Sequence, residues 1–451
     1  MIQSKSIMPR FVAFMPFALI LGFTSLVVAQ DQPGSPIPAA PAAKDGANPP
    51  APATFSFDDV DTSVIKKADR EKLDKVLDAY KESVGVYRTK MVDFRISHLE
   101  YLNYQHKTRS KMNEFRALRT EALECMEQAF SDGVRLLDFM DNFPPALKYA
   151  GENDVDPVAL SRFLVTVCKH HYQHDTYDAT MLYAGKVLFR TQANFPSYLF
   201  LGVARSAVCA GEFEFATEIY KSVGEENWEK VDRSMIGAIE ILKSEWDKES
   251  MLIKKETEEK RNPQVKFMTS RGEFIVELYI DQAPSTVAHF INLVEDKFYD
   301  GLEFYQVVSN LLALTGDPEG RGEIGEGPFL LDEHAREDAR AALYGSLLMV
   351  KIPIPDTSDF VPNTASTQFA ISYIPLPSVA KNQTVFGRVI KGMELVGQFR
   401  RVDPTKEKQK GEVVLPADKI LSATMIRRPE KLPEVQFVDK KMDKHAGHNH
   451  P

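Results

Sequence analysis

Cysteine is scarce: the 451-residue chain has three, Cys125, Cys168 and Cys209. An odd number without CxxC spacing excludes a disulfide framework and a zinc ribbon. All three sit on helical patterns among apolar neighbours and read as small buried hydrophobes, with Cys168–Cys209 the one pair suited to oxidation. A basic excess is also missing. Lys and Arg number 55 against 64 Asp and Glu, for a net charge of −9. That excludes a general nucleic-acid binder. There is only one long apolar run, Phe11 to Val28. The rest of the chain has no stretch of about 18–20 apolar residues, so no membrane span is expected in the mature chain.

The apolar run follows Lys5 and Arg10, and Val27-Val28-Ala29 supplies the small residues of a processing site. Residues 1–29 therefore read as a signal peptide cleaved after Ala29, with an uncleaved anchor as the alternative. The expectation is an exported protein, periplasmic or in the cell envelope. Residues 30–60 form a Pro/Ala-rich linker that cannot bury a core and stiffens toward polyproline II.

From 61 to 262 glycine and proline are sparse, and apolar residues recur at three and four, which predicts helices. Leu73, Val76, Leu77 and Tyr80 make one stripe, and Phe115, Leu118, Leu123, Met126 and Phe130 another. The segment 141–145 breaks the pattern at its two prolines. Phe200, Val203, Ala204, Ala207, Gly211, Phe213, Ala216 and Tyr220 have helix–turn–helix spacing. Phe163, Val167, His170, His174, Thr176, Ala179 and Tyr183 form an earlier copy. Ala179 and Ala216 are 37 positions apart, near the ~34-residue period of tetratricopeptide repeats. Residues 157–225 thus resemble a tetratricopeptide-like hairpin pair, which implies a protein partner for the helical domain. A plain helical bundle is the alternative. His170 and His174 have the i,i+4 spacing of metal ligands, but no HExxH glutamate accompanies them, and they read as a surface or packing cluster. No metal or cofactor is expected. The charged run 252–262 reads as the solvated end of a helix.

At Pro263 the pattern changes. Val265–Thr269 and Phe274–Tyr279 alternate as strands around a tight turn. Pro284 opens a helix whose buried side is Ala288, Phe290, Ile291 and Val294. Gly-Glu-Phe-Ile-Val-Glu-Leu, Ala-Pro-Ser-Thr-Val-Ala-His-Phe, Lys-Phe-Tyr-Asp-Gly-Leu-Glu-Phe-Tyr and Gly-Asp-Pro-Glu-Gly-Arg-Gly follow in order. Residues 362–369, 385–389 and 391–396 continue the series. Residues 263–430 resemble the cyclophilin family of peptidyl-prolyl cis-trans isomerases. The resemblance implies a closed antiparallel β-barrel of eight strands with two capping helices. The whole chain is then multidomain: an all-α, tetratricopeptide-like domain followed by a cyclophilin-like barrel. Residues 431–451 read as a polar tail whose histidines could hold a metal weakly.

The implied chemistry is rotation about an X–Pro amide, whose barrier is about 18–20 kcal/mol. A catalyst grips the proline ring in an apolar pocket and aims a donor at the prolyl nitrogen as the amide twists, which stabilises the transition state specifically. In the family an arginine supplies that donor; here Gln306 stands in its place. The resemblance puts the substrate-binding groove at Leu311, Leu312, Leu314, Met349, Val350, Gln368, Ala370, Ser378, Val379 and Gln383. Met349 and Gln368 match the family, whereas Ala370 and Ser378 replace aromatic rings and Gln383 replaces a histidine. About eight extra residues, Ile352 to Asp359, enlarge the loop after Val350. A neutral amide lacks the charge and fork of arginine, and loss of one such donor costs roughly 10²–10³ in rate. Two functions follow: a weakened prolyl isomerase acting on exported proteins, or a non-catalytic scaffold that binds proline-containing peptides or proteins.

Overall fold

In the computed structural model the described residues are 62–103, 109–143, 145–191, 195–324, 327–355, 357–403 and 416–438. The signal segment, the 30–60 linker and the histidines of the tail lie outside them. So does Tyr104.

Two long helices, α1 (Lys67–Asn103) and α2 (Arg109–Asp141), form an antiparallel hairpin. Leu73, Leu77, Tyr80 and Val84 recur at helical spacing on the buried face of α1. Farther out, the Phe94, His98 and Tyr101 rings pack on Phe115. Pro145 then starts α3 (Pro145–Glu152), and Asp156 caps α4 (Pro157–Gln173) by accepting from Val158 N–H at 2.9 Å. Proline at a first helical position loses no hydrogen bond. Next come α5 (Ala179–Thr191), α6 (Ser197–Cys209) and α7 (Phe213–Val223). The long α8 (Lys230–Glu259) opens with a reciprocal cap between Glu229 and Asp232. Gly211, between α6 and α7, has φ +78°, and a Cβ there would lie 2.0 Å from the Trp246 indole. Only glycine satisfies both conditions. Cys125, Cys168 and Cys209 are all free thiols, so the suggested Cys168–Cys209 pair is not formed.

The second half begins with β1 (Gln264–Thr269) and β2 (Glu273–Leu278). Then come α9 (Pro284–Glu295), β3 (Gln306–Val308), β4 (Leu312–Thr315), β5 (Ser346–Met349) and β6 (Phe369–Ser372). The single-turn α10 (Pro377–Ala380), β7 (Val385–Lys391), the single-turn α11 (Met393–Val396) and β8 (Ile420–Arg427) complete it. The strands form one antiparallel sheet in the order β3-β4-β6-β5-β7-β2-β1-β8. The expected closed barrel is not formed. The sheet is an open half-barrel, and Val402 occupies the outer edge of the three-residue β3, exchanging backbone hydrogen bonds with Val307 at 2.8 and 3.1 Å. Among the described residues the two ends of the sheet meet only beside the segment that precedes β3, where Glu303 bridges Lys419 and backbone hydrogen bonds join Gly301 and Leu302 to Ile420 and Phe304 to Asp418. The chain just beyond 430 is not free tail: Phe437 bridges Leu330, and its ring meets His289 edge-on.

Two apolar cores result. One fills the concave side of the sheet with Phe267, Phe274, Phe290, Tyr299, Phe304, Phe369 and Phe386. The other starts in the helices and extends onto the opposite face of the sheet.

Candidate functional site

Successive residues of a strand point to opposite faces, and this divides β4, β5 and β6 between the two cores. Ala313, Leu347, Met349, Phe369 and Ile371 enter the concave core. Leu312, Leu314, Leu348 and Ala370 enter the core shared with the helices. This second face carries the expected groove. Met349 is therefore removed from the groove set, since it lies on the other face, against Phe369 in the ladder.

The remaining positions come together but are not open. Gln306, Leu312, Leu314, Gln368, Ala370, Val379 and Gln383 are buried, all at 8% exposure or less. Leu311 and Val350 are half-buried and pack on the shared core. Only Ser378 is exposed. Gln306 makes no side-chain hydrogen bond among the described residues. Gln368 is committed to structure: its Oε1 accepts from the Tyr305 hydroxyl at 2.8 Å, and its Nε2 donates to the Glu323 carbonyl at 2.7 Å. The Gly-Asp-Pro motif also serves structure here. The Asp317 carboxylate accepts from the N–H groups of Glu319, Arg321 and Gly322 at 2.7–2.9 Å, fixing the loop after β4.

The hairpin between β3 and β4 inserts its tip into the helical domain. Asn310, at φ +57°, donates its N–H to Asp175 at 2.9 Å. Its Oδ1 accepts from the Tyr177 hydroxyl at 2.6 Å and from Arg205 Nη1 at 3.1 Å. Arg205 is buried and forks onto Asp232, with both N···O distances 2.8 Å. Arg401 bonds Asp175 at 2.6 Å and Ser309 at 2.9 Å. Burial pushes the Asp175 carboxyl above its usual pKa, with Arg401 and the Asn310 N–H pulling the other way.

Two further contacts hold the halves together. Arg340 is buried over the Tyr279 ring, 3.7 Å from its centroid, and bonds Glu249 and Glu256 of α8 at 2.9 and 2.5 Å. The expectation of a solvated end for α8 fails at Glu256, because this ion pair draws it inward. At the other end, Arg119 of α2 bonds Gln398 at 2.6 Å, and Gly397 lies against the His174 carbonyl. The His170 and His174 rings lie 4.1 Å apart between their centroids, tilted by 37°, and His171 bonds Glu127 at 2.8 Å.

The groove positions were read from motif order, but their covering was not. Nor does motif order mark Asp175, Tyr177, Arg205, Asn310 or Arg401. One signal was available: Arg205 is the only charge in α6, whose other residues are apolar or small apart from Tyr198.

The family model for cyclophilin type peptidyl-prolyl cis-trans isomerases matches residues 264–425. The chain is 32% identical to peptidyl-prolyl cis-trans isomerase-like 1 of Emericella nidulans over 145 residues, covering 32% of this chain and 85% of that protein. The chain belongs to the cyclophilin family. A peptidyl-prolyl cis-trans isomerase of Arabidopsis thaliana is likewise 32% identical over 142 residues, 31% of this chain and 82% of the relative. A crystal structure of a Cryptosporidium parvum cyclophilin aligns at 24% identity and a TM-score of 0.31, covering 37% of this chain and 99% of that one. The cyclophilin domain here is thus about a third of the chain, and the matched region begins just after α8.

Proposed function

We propose that this chain is a non-catalytic cyclophilin scaffold, in which the face that would receive a proline-containing peptide is the seat of the protein's own helical domain. The observation that carries this reading is the burial of the groove positions in one apolar core with the helices. A substrate would have to uncover Leu312, Leu314, Leu348 and Val379. At roughly 1.5–3 kcal/mol per side chain that is about 6–12 kcal/mol, comparable with the whole net stability of a domain. Gln306 in place of the family arginine removes the charged donor as well.

On this reading the helical domain, with its tetratricopeptide-like segment 157–225, supplies the surface for a protein partner. The signal segment and the 30–60 linker support action outside the cytoplasm, tethered to the cell envelope. The test is a proline-peptide isomerisation assay on the chain from residue 30. The expected rate is that of the uncatalysed reaction, and Gln306→Arg is expected to leave it there. Catalysis well above background, abolished by Gln306→Ala, would restore the isomerase reading.

A further inference from the structure

The distal half of α1 carries a second apolar stripe, on the side turned away from α2. Val92, Ile96 and Leu99 are 53%, 52% and 62% exposed. Their i, i+4, i+7 spacing puts them on one line, which Thr89 begins and Asn103 ends. The residues facing α2 are a different set, including Tyr80, Val84 and Phe94. Gly85 lies at the lower end of the outer stripe, and nothing stands within 4 Å of where its Cβ would be.

Read as heptads, Thr89, Ile96 and Asn103 fall at a, and Val92 and Leu99 at d. Ile at a with Leu at d is the two-stranded preference for parallel helices, and a single Asn at a fixes register and strand number. The charges beside the stripe discriminate further. Arg88 and Arg95 fall at g, and Asp93 and Glu100 at e; all four are exposed. In a parallel pair of identical helices, each g residue meets the e residue five positions on in its partner. Arg88 then faces Asp93 of the second copy, and Arg95 faces Glu100. In an antiparallel pair arginine would meet arginine, and carboxylate would meet carboxylate.

From this charge complementarity we infer that the occupant of the stripe is a second copy of the same chain, joined through α1 as a short parallel coiled coil. Two heptads are too few to hold isolated helices together. Here α1 is already ordered by α2, so association does not have to form it. The seam is small, and the dimer is accordingly weak and reversible. Parallel pairing places the start of both α1 helices on one side of the dimer. None of this depends on whether the cyclophilin domain is catalytic.

Sedimentation velocity on the chain from residue 30 tests the inference. The wild type is expected to move from monomer to dimer as concentration rises. Ile96→Asp is expected to weaken self-association at least about tenfold, with helix content and melting unchanged because the position is exposed. Arg88→Glu/Arg95→Glu and Asp93→Lys/Glu100→Lys should each be monomeric alone, and their equimolar mixture should recover a heterodimer. A wild type that stays monomeric at every concentration overturns the inference. So does a dimer indifferent to Ile96→Asp. A mixture that fails to associate while the wild type dimerises overturns the parallel register.

Discussion

Polar contacts from both halves of the molecule converge on Arg205. It bonds Asp232 through both nitrogens of its fork, the Tyr177 hydroxyl, and Asn310 of the β3–β4 hairpin. Removing one partner of a buried pair leaves the other charge uncompensated, at about 3–5 kcal/mol. Arg205→Ala should therefore lose most of that on urea denaturation. A loss below about 1 kcal/mol would mean that Asp232 finds water or another donor. Asn310→Ala removes two acceptor contacts, one of them to the charged Arg205, and a turn residue, but Arg205 keeps Asp232, so it should cost less, about 1–2 kcal/mol. The order of the two variants tests whether the arginine or the hairpin tip is the stronger anchor. Arg205 was legible as an anomaly, a charge in an apolar helix. Asn310 was not, because an Asn at a hairpin turn is ordinary.

Among the elements, α4 carries a pH-dependent contact at the domain junction. Burial, reinforced by His174, His171 and Arg119, pulls His170 down to about 3. Burial also pulls His174 down to about 4, with Arg401, Arg119 and His171 adding to it against a bond to the His170 carbonyl. Unfolded, both take up protons near the ordinary value of about 6.5. Between that value and about 4 the unfolded state binds more protons, so stability falls as the pH is lowered through this window. His171 acts in the opposite sense. Burial lowers its pKa, but Glu127 overrides burial and holds it above the ordinary value. Its contribution is complete below about 6.5 and is lost as pH rises through its folded value. Two histidines act in the first sense and one in the second, so the first is expected to dominate. Melting temperature is expected to drop between pH 7 and pH 4.5, and His170→Gln/His174→Gln should flatten the slope. Gly397→Ala probes the same junction sterically, since its Cβ would lie 2.1 Å from the His174 carbonyl oxygen. It should loosen α4 from α11, seen as faster amide exchange at both, while β1 and β2 stay protected.

At the scale of the molecule, local pattern made the elements readable. Pro284 starts α9, Pro145 starts α3, and residues 270–272 turn β1 into β2. Motif order identified the sheet domain. Three things did not follow from pattern. Val402, not β8, takes the edge of β3, because that edge is chosen by a distant loop. Met349 matches its motif yet faces the concave core, because a motif does not state which face a strand residue takes. The covering of the groove was hidden because Leu312 and Leu314 are as suited to a peptide pocket as to an interdomain core; only the partner surface decides. The central claim is that the groove face is shut by the helical domain. Thiol labelling tests it most directly, comparing Ala370→Cys with Ser378→Cys, one position buried at 2% exposure and the other exposed. The expected result is rapid labelling at 378 and protection at 370 until the chain unfolds. Labelling at 370 as fast as at 378 in the folded protein would contradict it.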